Sequence, residues 1–100
     1  MSTPSHLPNL LKKLRRQLPY LREKYHVTSL RVFGSYVREE QKLGSDLDIL
    51  ITFDELPSLL GFIAIENYLS DQLGVKVDLV MEDTLKPPLE KFILREAVPV

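Results

Sequence analysis

Three aspartates and a glycine–serine pair are the residues of this chain that could do chemistry together. Asp46 and Asp48 head the apolar run DLDILITF, 46–53, and Asp78 lies in VKVDLVM, 75–81. On an extended strand, residues two apart share a face. Asp46 and Asp48 therefore project together, while Leu47, Ile49, Ile51 and Phe53 turn into the core. Aspartate is depleted in strands, and an unpaired buried carboxylate is costly. Two like charges side by side cost more, unless a cation sits between them. Paired carboxylate oxygens suit Mg²⁺, a hard ion. In the second run Val75, Val77, Leu79 and Met81 form one face, and Lys76, Asp78 and Val80 the other. If the two strands pair, Asp78 joins Asp46 and Asp48. Such a trio would hold one or two divalent ions, and a two-metal site favours in-line displacement at phosphorus.

A phosphate cradle is the natural companion to those carboxylates. Gly34-Ser35 follows LRVF, 30–33, and precedes YVREE, which reads as one helical turn. Glycine admits a ligand close to the backbone, and free N–H groups at a helix start attract anions. The Ser35 hydroxyl adds a donor, and Arg38 lies one turn later. Singly, each feature has a plainer reading: an N-cap serine, a turn aspartate after Gly44-Ser45, a solvated Asp78. Asp48 resists that treatment because it lies inside the apolar run. Together the parts would hold a nucleoside triphosphate and its metals.

The elements that must position these groups follow from hydrophobic period. Leu7, Leu10, Leu11, Leu14, Leu18, Leu21 and Tyr25 recur at helical spacing, with a kink or a break expected at Pro19. His26 marks the helix end, since His tolerates the left-handed conformation. The segment 30–33 is a short strand, QKLGS a loop and 46–53 a buried strand. Ser58 caps a helix running to Leu73, ended by Gly74. The segment 75–81 is a half-buried strand, and Pro87-Pro88 open a last helix that Pro99 prevents from continuing. This order predicts an α/β (α+β) domain, a small sheet covered by helices.

Length and charge narrow the classes. One hundred residues make a single domain, 1–100, with one core. A net charge of −1 gives no electrostatic case for direct nucleic-acid binding. Lys12, Lys13, Arg15, Arg16, Arg22 and Lys24 read as the solvated face of the first helix. The chain has no cysteine, so thiolate metal sites and disulfides are excluded. MSTPSHLPN lacks the build of a signal peptide, and no apolar run reaches the ~20 residues of a membrane span. A cytoplasmic protein is expected. His6 and His26 share no metal-binding spacing.

The stretch FGSYVREEQKLGSDLDILI resembles the GSxxR…SDxDxxV signature of the DNA-polymerase-β-like nucleotidyltransferase superfamily. The resemblance is to its minimal nucleotidyltransferases, the MntA-like antitoxins, and extends from LREKYHV to the chain's last residues. By that resemblance Gly34 and Ser35 bind phosphate, with Arg38 in phosphate contact or loop structure and Ser45 in support. Asp46 and Asp48 form the metal-binding DxD. Asp78 is the third ligand and promotes deprotonation of the acceptor. Two positions depart from the pattern: Glu39 and His26 stand where relatives often have glycine.

The resemblance further implies a polymerase-like palm, a small mixed sheet with helices packed on one side. Its implied reaction is transfer of AMP from ATP to an acceptor, with about two Mg²⁺ ions. A short chain leaves the acceptor to a partner: a HEPN-domain ribonuclease toxin encoded nearby, modified on a tyrosine hydroxyl and forming a hetero-oligomer with its antitoxin. Two alternatives stand beside this. The protein could neutralise such a toxin by binding alone, or modify a small hydroxylated molecule such as an aminoglycoside.

Overall fold

The computed structural model describes residues 7–42 and 44–100. The first helix, α1, covers Leu7–Tyr25, and strand β1 covers Val27–Phe33. Strand β2, Leu47–Phe53, is followed by helix α2, Leu59–Leu73, and strand β3, Val77–Met81. A 3₁₀ turn at Glu82–Thr84 leads to helix α3, Pro87–Glu96, and a two-residue strand β4, Val98–Pro99. Residues 1–6, His6 among them, and Leu43 of the expected loop lie outside the described residues.

 

The sheet has the order β3-β2-β1-β4. β1 pairs antiparallel with β2 and β4, and β2 pairs parallel with β3. The fold is α+β, as the element order implied, and the sheet is mixed, as the resemblance implied. The parallel pair needs a crossover, which α2 supplies. Its start is fixed by Ser58, whose Oγ accepts the Gly61 N–H at 3.1 Å. Its end is fixed by Gly74 at φ 72, where the cap N–H reaches the Ser70 carbonyl.

One face of the sheet carries the main core. Leu10, Leu14 and Leu21 of α1 and Ile65, Leu69 and Leu73 of α2 close over Leu47, Ile49, Ile51, Val77 and Leu79. α3 adds a smaller contact of its own, in which Ile93 packs with Phe33 and Leu50. Leu50 has the opposite parity from Leu47, Ile49 and Ile51, so this second cluster lies on the aspartate face.

Pro19 does not divide α1 into two helices. Leu14 and Leu21, on either side of it, are both fully buried. Packing of both halves against one sheet outweighs the roughly 3 kcal/mol that an interior proline costs. The basic residues of α1 are exposed, as expected of a solvated face. Among the described residues, no helix is long and apolar enough to cross a membrane.

Two features lay beyond the sequence reading. Pro99 ends the helical path, yet Val98–Pro99 forms an edge strand on β1, a place where proline is tolerated. Glu66, which interrupts the apolar stripe of α2, accepts the Leu79 N–H at 2.9 Å. Ser70 accepts the Val77 N–H at 3.0 Å. The two side chains thus satisfy amides on the edge of β3 that β2 leaves unpaired.

Candidate functional site

The parallel register sets Asp48 directly beside Asp78. Strand spacing puts their Cβ atoms about 5 Å apart on one face. Asp46 precedes β2 by one residue and shares the parity of Asp48. Asp48 is half-buried and Asp78 exposed. Among the described residues, none of the three carboxylates has a hydrogen bond or an ion pair. The Asp48 carboxyl is pushed up to about 6, first by burial, then by the charges of Asp78 and Asp46. Arg38 opposes that rise and Glu96 adds to it.

The donor set has the chemistry of a hard-cation site: carboxylate oxygens, crowded like charge and open lone pairs. Its side chains are not gathered around one point, however. No group of three or more His, Cys, Asp or Glu among the described residues is arranged to hold a metal ion.

Gly34 ends β1 against this cluster. A Cβ built there would lie 2.1 Å from Asp48 Oδ2, and φ is +84°. Both facts require glycine. The expected helical turn is a single hydrogen-bonded turn over residues 35–39 that does not extend into a helix. The Val37 and Arg38 amides both reach the Gly34 carbonyl, at 3.0 and 3.2 Å, and the Glu40 amide reaches the Ser35 carbonyl at 2.8 Å. The left-handed Glu39, φ 58, ends any helical path. A helix dipole therefore contributes nothing here. Attraction for an anion rests on turn amides, the Ser35 hydroxyl and Arg38.

The surrounding contacts define the other predicted residues. Arg38 Nε bonds Glu40 at 2.9 Å, and its Nη1 lies 3.0 Å from both oxygens of Glu96. Ser45 Oγ accepts the Lys42 N–H at 2.8 Å, which shapes the turn before Asp46. Tyr36 is buried in the main core, and its hydroxyl meets the Ser45 carbonyl at 3.5 Å. It links the glycine turn to the approach to Asp46.

Both departures from the family signature keep a glycine-like backbone. His26 has φ 62 and Glu39 φ 58. Each position holds the left-handed conformation that glycine adopts freely, at the cost of a left-handed non-glycine residue.

Sequence reasoning missed Glu96. Its Oε2 accepts the Gly34 N–H at 2.7 Å across a separation of 62 residues. The available signal was an acid at the last position of α3, where the helix dipole favours a cation.

A cavity of about 700 Å³ opens beside the site, lined by Lys13, Tyr36, Lys42, Ser45 and Lys76 among others. None of the three aspartates lines it.

Residues 14–100 match the model of the nucleotidyltransferase domain family. The chain is similar to the protein adenylyltransferase MntA of Thermococcus cleftensis, with 47% identity over 98% of this chain and 96% of that protein. It is also similar to a solved structure provisionally described as a minimal nucleotidyltransferase. The TM-score is 0.72 at 39% identity, over 90% of this chain and 95% of that one. A third match, at 18% identity and a TM-score of 0.65, shares the fold. It covers 90% of this chain and 70% of that one, in a structure of a tri-AMPylated Shewanella oneidensis HEPN toxin in complex with an MNT antitoxin.

Proposed function

The chain belongs to the nucleotidyltransferase family, and from that premise we propose that it transfers AMP from ATP to a tyrosine hydroxyl of a HEPN-domain toxin, acting as that toxin's antitoxin. The observation that carries this reading is the pairing of Asp48 with Asp78 on an open sheet face, beside a glycine turn. The likeness to a protein adenylyltransferase supports the AMP group. The likeness in fold to an MNT antitoxin bound to an AMPylated HEPN toxin supports the acceptor.

In the proposed step the tyrosine oxygen attacks the α-phosphorus of ATP. A new P–O bond forms, the bond to the β-phosphate bridge breaks, and pyrophosphate leaves in line. Asp78, exposed beside Asp48, accepts the hydroxyl proton. The Ser35 hydroxyl, the turn amides and Arg38 receive the departing phosphates. Asp46, Asp48 and Asp78, not gathered as a metal-holding group in the chain alone, are the residues that would have to close around Mg²⁺, which when bound supplies positive charge to the triphosphate.

A binding-only antitoxin is the second reading. It is favoured by apolar residues left in solvent on α3, where Leu89 is 52% and Phe92 59% exposed. The two readings separate by mass spectrometry of the toxin after incubation with ATP and Mg²⁺. An AMP adduct on tyrosine supports the enzyme. Neutralised toxin of unchanged mass supports the binder.

A further inference from the structure

We infer that Glu96 is the positioning residue of the phosphate-handling turn, holding the Gly34 backbone and the Arg38 guanidinium in one fixed arrangement. This inference rests on the reading of Gly34, Ser35 and Arg38 as the phosphate side of the site.

The Glu96 carboxylate makes charge-assisted hydrogen bonds to both groups, at 2.7 Å to the Gly34 amide and 3.0 Å to Arg38 Nη1. Its side chain is only 15% exposed. Its backbone is anchored on both sides. Before it, Ile93 is buried against Phe33 and Leu50. After it, Val98 and Pro99 pair with Val32 and Arg31, and the Val100 amide reaches the Leu30 carbonyl at 3.1 Å. A carboxylate held this firmly is a rigid reference point for the softer turn it touches.

Its placement is unfavourable unless it serves the turn. Glu96 adds a negative charge near Asp48, at the end of a helix that prefers a cation there. The Arg38 guanidinium offsets that charge. The Gly34 amide is already occupied by Glu96, so it is not the donor a phosphate meets. The donors left for phosphate are the Ser35 hydroxyl, Arg38 Nη2 and the Ser35 and Tyr36 amides of the turn, none of which has a partner among the described residues. Glu96 determines where they point: Arg38 directly, and the Ser35 end of the turn through the neighbouring Gly34 amide.

The test is nucleotide affinity, measured with a fluorescent non-hydrolysable ATP analogue and Mg²⁺ on the full chain. Glu96→Ala is expected to weaken binding about 10-fold or more, and Glu96→Gln, which keeps the amide acceptor, by less. Arg38→Ala combined with Glu96→Ala should cost little beyond either alone, because the two act as one unit. Unchanged or tighter binding in both Glu96 variants would overturn the inference, with tighter binding marking Glu96 as a competitor of phosphate. If Glu96→Ala does not fold, Glu96→Gln decides by the same criterion. Failure of the underlying reading looks different: Ser35→Ala would then leave affinity unchanged, or the unaltered chain would bind no nucleotide.

Discussion

Asp48 and Asp78 stand side by side across the parallel β2–β3 pair, on the face that the main core leaves open. One register step either way would turn one of them into the core. Placing them together costs stability in the protein without a cation, and that cost can be measured.

The Asp48 carboxyl is raised from 3.8 to about 6. A raised acid is stabilising while protonated, so its contribution is present below about pH 4 and is lost as pH rises through about 6. The full shift corresponds to about 3 kcal/mol, and solvent screening at this part-open position reduces it to about 1 kcal/mol. Asp48→Asn should therefore raise the unfolding midpoint at pH 8 by several degrees in EDTA, and change it little at pH 4. Mg²⁺ should stabilise the unaltered chain at pH 8 and the variant less. Equal effects of the substitution at both pH values would contradict this account.

Gly34→Ala should be the most damaging change of a single methyl group. The added Cβ meets Asp48 Oδ2 at 2.1 Å on a backbone with φ of +84°. Overpacking and the left-handed conformation together cost about 2–4 kcal/mol. Gly74→Ala is the control: φ is +72°, but its Cβ meets nothing within 4 Å. It should cost about 1 kcal/mol by urea denaturation and leave catalysis intact.

Glu39→Gly should stabilise the chain. Glu39 is exposed and left-handed at φ 58. Relief of that conformation is worth about 1 kcal/mol, partly offset by the greater freedom of glycine in the unfolded chain. Chemical denaturation reads the result, and a loss of stability would show that the Glu39 side chain has a role in the turn.

Much of this arrangement was legible in the sequence because local chemistry and period agreed. Ser58 and Gly74 bracketed α2, His26 ended α1, and the parity of DLDILITF set the aspartates apart from the core. What escaped was set by distant contacts. Pro19 looked like a helix breaker until Leu14 and Leu21 were seen buried on one sheet. Glu66 looked misplaced until its carboxylate met the Leu79 amide. The segment after Gly34 lacks a helix because Glu39 turns left-handed. Glu96 could not be joined to Gly34 from spacing alone, since a sheet and a helix intervene.

The central claim is AMP transfer by the aspartate cluster. It is tested most directly by incubating the protein with ATP labelled at the α-phosphate, Mg²⁺ and a purified HEPN toxin. An Asp46→Asn, Asp48→Asn double variant is run in parallel. The account predicts label on the toxin with the unaltered protein, and a loss of at least about 100-fold with the variant. Toxin neutralised equally by both proteins, with no label on it, would contradict the account and leave an antitoxin that acts by binding.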